Sequence, residues 1–218
     1  MFNKFLFRFK NPEESKFLVF DEMTDQHLKG IILNDFEYSI LKIRNKEIYI
    51  SFKILFLFIL NLYNLPWNFI FHKSFKIKML PEQLYVIYLL VYLKITKPNL
   101  ILTFIDNNWH FQRLDKLYKK AKFLNIQNGL RNQISFEYLL PKPPHPGSKI
   151  YISNYFCFGE FSKFIHEYYN HEIINYRAIG SIKLLHFKNK NKNKDKKINV
   201  KFPILLVSQW NKTFMQKD

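Results

Sequence analysis

Short apolar runs and helix-period segments alternate along this chain about five times, and few architectures admit that alternation. Residues 17–20 (FLVF) form an apolar run closed by Asp21, as a strand buried on both faces requires. Residues 23–32 read as a helix and 38–43 as the next strand. Residues 48–62 begin extended and turn helical. Pro81 suits the first turn of a helix over 82–95. Pro98 ends that helix, because the residue before a proline avoids helical geometry. A strand at 100–105 follows, then a helix at 109–120 with Leu114, Leu117 and Ala121 on one face, then a strand at 122–126. Beyond a proline-rich loop at 131–149 come a strand at 150–158, a helix at 160–169, a strand at 173–179 and a last apolar run at 203–207. Strands separated by such helices give a mainly parallel sheet wrapped by crossovers. The expectation is a three-layer α/β domain of Rossmann-like type.

The 218 residues suffice for one sizeable α/β domain or at most two small ones. The segments divide into an N-terminal extension (1–15), the α/β domain (16–185), a Lys/Asn-rich loop (186–200, with KNKNKNKDKK inside it) and a further segment (201–218). The chemistry is narrowed by what is scarce. Cys157 stands alone, which excludes a disulfide framework and a cysteine zinc site, and a mid-strand position reads as buried and inert. The five glycines are Gly30, Gly129, Gly147, Gly159 and Gly180, and they form no G-x-G-x-x-G, G-x-x-x-x-G-K or G-x-S-x-G pattern. His166 and His171 are five apart, so they do not share a helix face as a ligand pair would, and no metal site is expected.

The net charge is +17, which suggests nucleic acid, a membrane surface or an anionic substrate. Residues 183–218 hold ten Lys against two Asp, so +8 of that total sits in the last 36 residues. The chain is also rich in Phe, Lys, Asn, Ile and Tyr, the residues an AT-rich genome over-produces, so part of the basicity needs no ligand to explain it. The cations do not form one face among aromatics, and no nucleic-acid partner is expected.

Residues 1–10 (MFNKFLFRFK) lack the unbroken apolar core and cleavage site of a secretory signal. The longest apolar run, residues 54–60, is far short of a spanning helix. It reads as a buried helix of the layered domain, with a helix lying on a membrane surface as the alternative.

Parallel sheets bind ligands outside the carboxyl ends of their strands. Those ends carry Asp106-Asn107-Asn108, Gln127-Asn128-Gly129 with Arg131, Gly159-Glu160, Gly180-Ser181 with Lys183, and Ser208-Gln209. Amides supply donors and acceptors at one point, which suits hydroxyl-rich ligands such as sugars. Each group also has a plain structural reading, since Asp and Asn cap helices and glycines make turns. Their shared position at one expected sheet edge favours the functional reading.

The blocks TFIDNN (103–108), IQNGLR (126–131), YFCFG (155–159), IGSIK (179–183) and VSQW (207–210), with FLVFD (17–21) and ILKIR (40–44) before them, carry a resemblance over residues 16–210. The chain resembles bacterial surface-carbohydrate biosynthesis proteins, transferases of lipopolysaccharide or capsule assembly. That resemblance implies the N-terminal, acceptor-side half of a GT-B-like glycosyltransferase, without a metal or resident cofactor. A sugar would pass from a nucleotide-sugar co-substrate to a glycan acceptor. It implies a cytoplasmic protein, with peripheral association at the inner membrane as an option. Residues 201–218 stand where a second, donor-binding domain would start, so the isolated chain is expected to fold but not to turn over. Asp21, Asp106 or Glu160 could act as base, Asp106 and Glu160 being preferred. Arg131 and Lys183 would neutralise a phosphate or acidic sugar. The alternatives are a non-catalytic binding module and a basic nucleic-acid or membrane-surface protein.

Overall fold

The computed structural model describes residues 6–44, 47–63, 80–129, 150–169 and 171–191. Within them, β2 (Phe17–Phe20), β3 (Ser39–Leu41), β5 (Leu100–Thr103), β6 (Lys122–Ile126), β7 (Tyr151–Cys157) and β8 (Glu172–Ala178) form one sheet. Its order is β3-β2-β5-β6-β7-β8 and every pairing is parallel. The three-layer α/β expectation holds. A separate parallel pair joins β1 (Leu6–Arg8) to β4 (Glu47–Tyr49), so the segment expected to be a bare extension is tied down by main-chain hydrogen bonds.

The helices are α1 (Glu22–Leu28, continued by a π-helical turn at Lys29–Leu33), α2 (Phe52–Tyr63), α3 (Leu80–Thr96), α4 (Trp109–Leu117), α5 (Glu160–Tyr168) and α6 (Ile182–Asn191). The central strands are apolar on both faces because both faces are covered. Leu18, Phe20, Ile101 and Phe123 pack with Leu89 and Leu93 of α3 and Phe111 and Leu114 of α4. Val19, Leu102, Phe104 and Ile126 face the other way, onto Leu28 of α1, Leu33 of the π turn and Ile182 of α6.

Three local expectations change. The helix at 52–63 is not a buried layer: only Ile54 is buried along it, and it lies outside α3, against Val91 and Ile95. Leu117, expected on the packed face of α4, is 52% exposed where the helix ends. The Lys/Asn-rich loop does not begin at 186, since α6 runs to Asn191. The loop at 131–149 and the apolar run at 203–207 lie outside the described residues. Among those described, no helix is long and apolar enough to cross a membrane.

Candidate functional site at the sheet edge

An all-parallel sheet delivers every strand end to one edge. The order reverses at β2, which has β3 on one side and β5 on the other, so the crevice lies between the ends of β2 and β5. Asp21 directly follows β2 there. It is 1% exposed and has a φ of +81°, a backbone region that favours glycine and costs other residues about 1–3 kcal/mol. Its carboxylate holds it in place. Oδ1 accepts the Met23 N–H at 2.9 Å, capping α1, and both oxygens accept from Arg44 Nε at 2.9 Å. Arg44 follows β3 and is half exposed, and its backbone N–H donates to Glu22 at 3.2 Å. The strand ends are also stitched by hydroxyls: Thr24 Oγ1 accepts the Phe104 N–H at 2.9 Å and lies 3.4 Å from Thr103 Oγ1.

Phe104, 1% exposed, packs beneath the strand ends at this point. The His27 ring stands 5.6 Å from it, centre to centre, and Lys183 Nζ lies 5.1 Å from its centroid, within cation–π range. Lys183 reaches this point because α6 returns across the sheet after β8 and packs Ile182 into the same cluster as Phe104. Partial burial, and then the charges of Lys183 and Arg44, push the His27 pKa below its usual value. His27 thus stands beside two cations, with the Asp21 and Glu22 carboxylates at the Arg44 end.

The other candidates among the described residues follow β5 to β8 along the same edge, and hydrogen bonds link three of their loops. Asp106 Oδ1 accepts the Asn128 N–H at 3.5 Å, and Oδ2 accepts the Tyr155 hydroxyl at 3.2 Å. Gln127 Oε1 accepts the Phe158 N–H at 2.8 Å and the Ser162 hydroxyl at 2.9 Å, while its Nε2 donates to the Gly129 carbonyl at 2.8 Å. Asp106 is 4% exposed and Gln127 is 1% exposed. Both hold loops together. Both oxygens of the Asp106 carboxylate are engaged in these contacts, and little of it faces solvent.

Asn108 caps α4, accepting the His110 and Phe111 N–H groups, and Ser181 caps α6, accepting the Leu184 N–H at 3.3 Å. Gly159 is extended and opens α5; its carbonyl accepts the Tyr176 hydroxyl and, at 3.5 Å, the Cys157 thiol. Cys157 is fully buried and burial raises its pKa, consistent with an inert thiol. Gly180 has a φ of +74° in the turn that sends α6 back across the sheet. Asn107 and Glu160 are exposed, and Asn128 and Gly129 are half-buried. Arg131, Ser208 and Gln209 lie outside the described residues.

His27, Arg44, Thr24 and Thr103 were not among the candidates drawn from the second half of the chain. The strand-end rule would have pointed to Arg44, which follows β3 as Lys183 follows β8. His166 and His171 do not share a helix face, since His171 lies beyond the end of α5, yet they meet: the chain turns back, the His171 N–H reaches the His166 carbonyl, and their Nδ1 atoms lie 3.0 Å apart. Among the described residues no three His, Cys, Asp or Glu side chains gather as a metal site would need. No family model, curated protein or solved structure matches the chain.

Proposed function

We propose that this chain is the acceptor-side half of a glycosyltransferase-like protein of bacterial surface-polysaccharide assembly, and that the β2/β5 crevice receives an anionic, hydroxyl-rich ligand such as a sugar phosphate. The observation that supports it best is the set of groups at the switch point: Lys183 over the Phe104 ring, His27 beside it, and Arg44 fixed by a strained, buried Asp21. Lys183 and Arg44 attract the anion, His27 donates or accepts at a hydroxyl, and the amides of Asn107 and Asn128 extend that contact along the edge. A nucleotide sugar brought by a second domain or chain is the co-substrate of this reading. Glu160 is then the open carboxylate that can take the acceptor's proton.

The burial of Asp106 favours a second reading, in which the crevice binds but does not catalyse. Both readings are tested on the purified chain. Titration with glucose 1-phosphate should show saturable binding, weakened roughly tenfold (about 1.4 kcal/mol) by Lys183→Ala. Binding without transfer by the chain alone is expected of both, so incubation with nucleotide sugars and a glycan is run with and without an extract of the source cells to supply a donor-side partner. Transfer that needs both the extract and this chain, and that Glu160→Gln abolishes, supports the enzyme; no chain-dependent transfer supports the module, and turnover by the chain alone overturns the half-enzyme reading. Absence of saturable binding overturns both.

A further inference from the structure

We propose that α2 is a membrane-surface helix that seats this protein on an anionic lipid bilayer. The inference is independent of the sugar-binding reading, because α2 is not part of the sheet edge. One side of α2 packs on α3 through Ile54. The other presents Phe52, Leu55, Phe56, Ile59 and Tyr63, at the i, i+3, i+4, i+7 and i+11 spacing of a single helix face. These side chains are 86%, 51%, 55%, 64% and 76% exposed. Exposed apolar side chains are common one at a time, but an unbroken stripe along three turns marks a contact surface.

Further apolar side chains are exposed near the start of α2. The Ile50 N–H donates to the Arg8 carbonyl, which sets β1 beside the start of α2 and brings Leu6 (45% exposed), Phe7 (49%) and Phe9 (82%) to the same region. On the α3 side an apolar groove of about 300 Å³ opens between Leu55 and Phe58 of α2 and Pro81, Leu84 and Tyr88 of α3.

Charge selects the occupant. The sequence from Ile48 to Pro81 contains no Asp or Glu, and the only charged residue on α2 is Lys53. Lys94 of α3 reaches α2 to bond Asn61, and Arg8, Lys10 and Lys97 border the patch with 47–60% of their side chains exposed. Arg8, Lys10 and Lys97 are each matched by an acid, Glu47 (which also pairs Lys42), Glu13 and Glu14, and Glu82 lies beside Pro81, so the net positive charge at the patch comes from Lys53 and Lys94. An apolar stripe on a helix that carries a lysine and no acid, with a net positive charge at its border, matches the boundary between acyl chains and anionic headgroups. A helix of twelve residues is about 18 Å long, too short to span a bilayer and long enough to lie in its surface.

Sedimentation of the full chain with vesicles tests this. Vesicles of phosphatidylcholine with phosphatidylglycerol should carry the protein down, and pure phosphatidylcholine should carry at least tenfold less. Raising salt from 50 to 500 mM should release the bound protein. Phe56→Glu with Ile59→Glu should cut binding at least tenfold while leaving the circular dichroism spectrum unchanged, since both positions are exposed. Lys53→Glu with Lys94→Glu should remove the salt-sensitive part. Equal binding to both vesicle types, full binding by the Phe56→Glu/Ile59→Glu variant, or self-association through α2 without lipid binding would each overturn the proposal.

Discussion

Asp21 shows how a single position can be held against its own backbone preference. A φ of +81° is open to glycine, yet the chain places an aspartate there and anchors it with the Met23 amide and the Arg44 guanidinium. Asp21→Ala keeps the strain and loses the cap and the anchor, so stability should fall by about 2–3 kcal/mol. Asp21→Gly loses the same contacts but relieves the backbone, and should fall about 1 kcal/mol less. Urea unfolding of both variants checks the order. Equal losses would mean that the left-handed backbone is not kept. The sequence marks Asp21 as a residue after a strand, and no more. Its conformation arises from Arg44, which lies 23 positions away and is brought beside it only when β2 and β3 pair.

At the scale of elements, the α3–α4 contact carries a titrating group. His110, in the first turn of α4, meets Tyr85 of α3 edge-on with ring centres 5.3 Å apart. Burial and the nearby Arg113 push its pKa down to about 4. The unfolded chain, with histidine near its usual 6.5, therefore binds a proton that the folded chain refuses between those two values. Stability should be complete above pH 6.5 and decline as pH falls towards 4, by on the order of 3 kcal/mol. His27, also lowered, acts in the same direction. His110→Phe should flatten the part due to His110, read as urea midpoints between pH 7 and pH 4.5; an unchanged slope would remove His110 from the account. The order of strands and helices was legible because period and proline placement are local. Pro81 lies in the first turn of α3, and the helix stops at Thr96, just before Pro98. The position of α2 was not legible, because an apolar run reads the same whether its second face meets protein, lipid or water. That residues 106–108, 127–129, 159–160 and 180–183 follow strands was legible. Their roles were not, since whether Asn108 caps a helix or Asp106 meets Tyr155 depends on contacts between distant segments.

The whole molecule is a sheet whose protection falls from its middle outward. Leu18, Val19 and Phe20 of β2 and Ile101 of β5 are fully buried, with helices on both faces and strands on both sides. β8 pairs only with β7 among the described strands, and Ile174 on it is 55% exposed; all three residues of β1 are exposed. Buried, doubly paired amides exchange only when the fold opens globally, whereas edge amides exchange through local opening. Amide hydrogen exchange should therefore be slowest in β2, β5 and β6, intermediate in β7, and fastest in β8 and the β1–β4 pair. Exchange in β8 as slow as in β5 would contradict that gradient. It would mean that the free side of β8 is paired with another strand, making this edge an interface rather than the margin of the sheet.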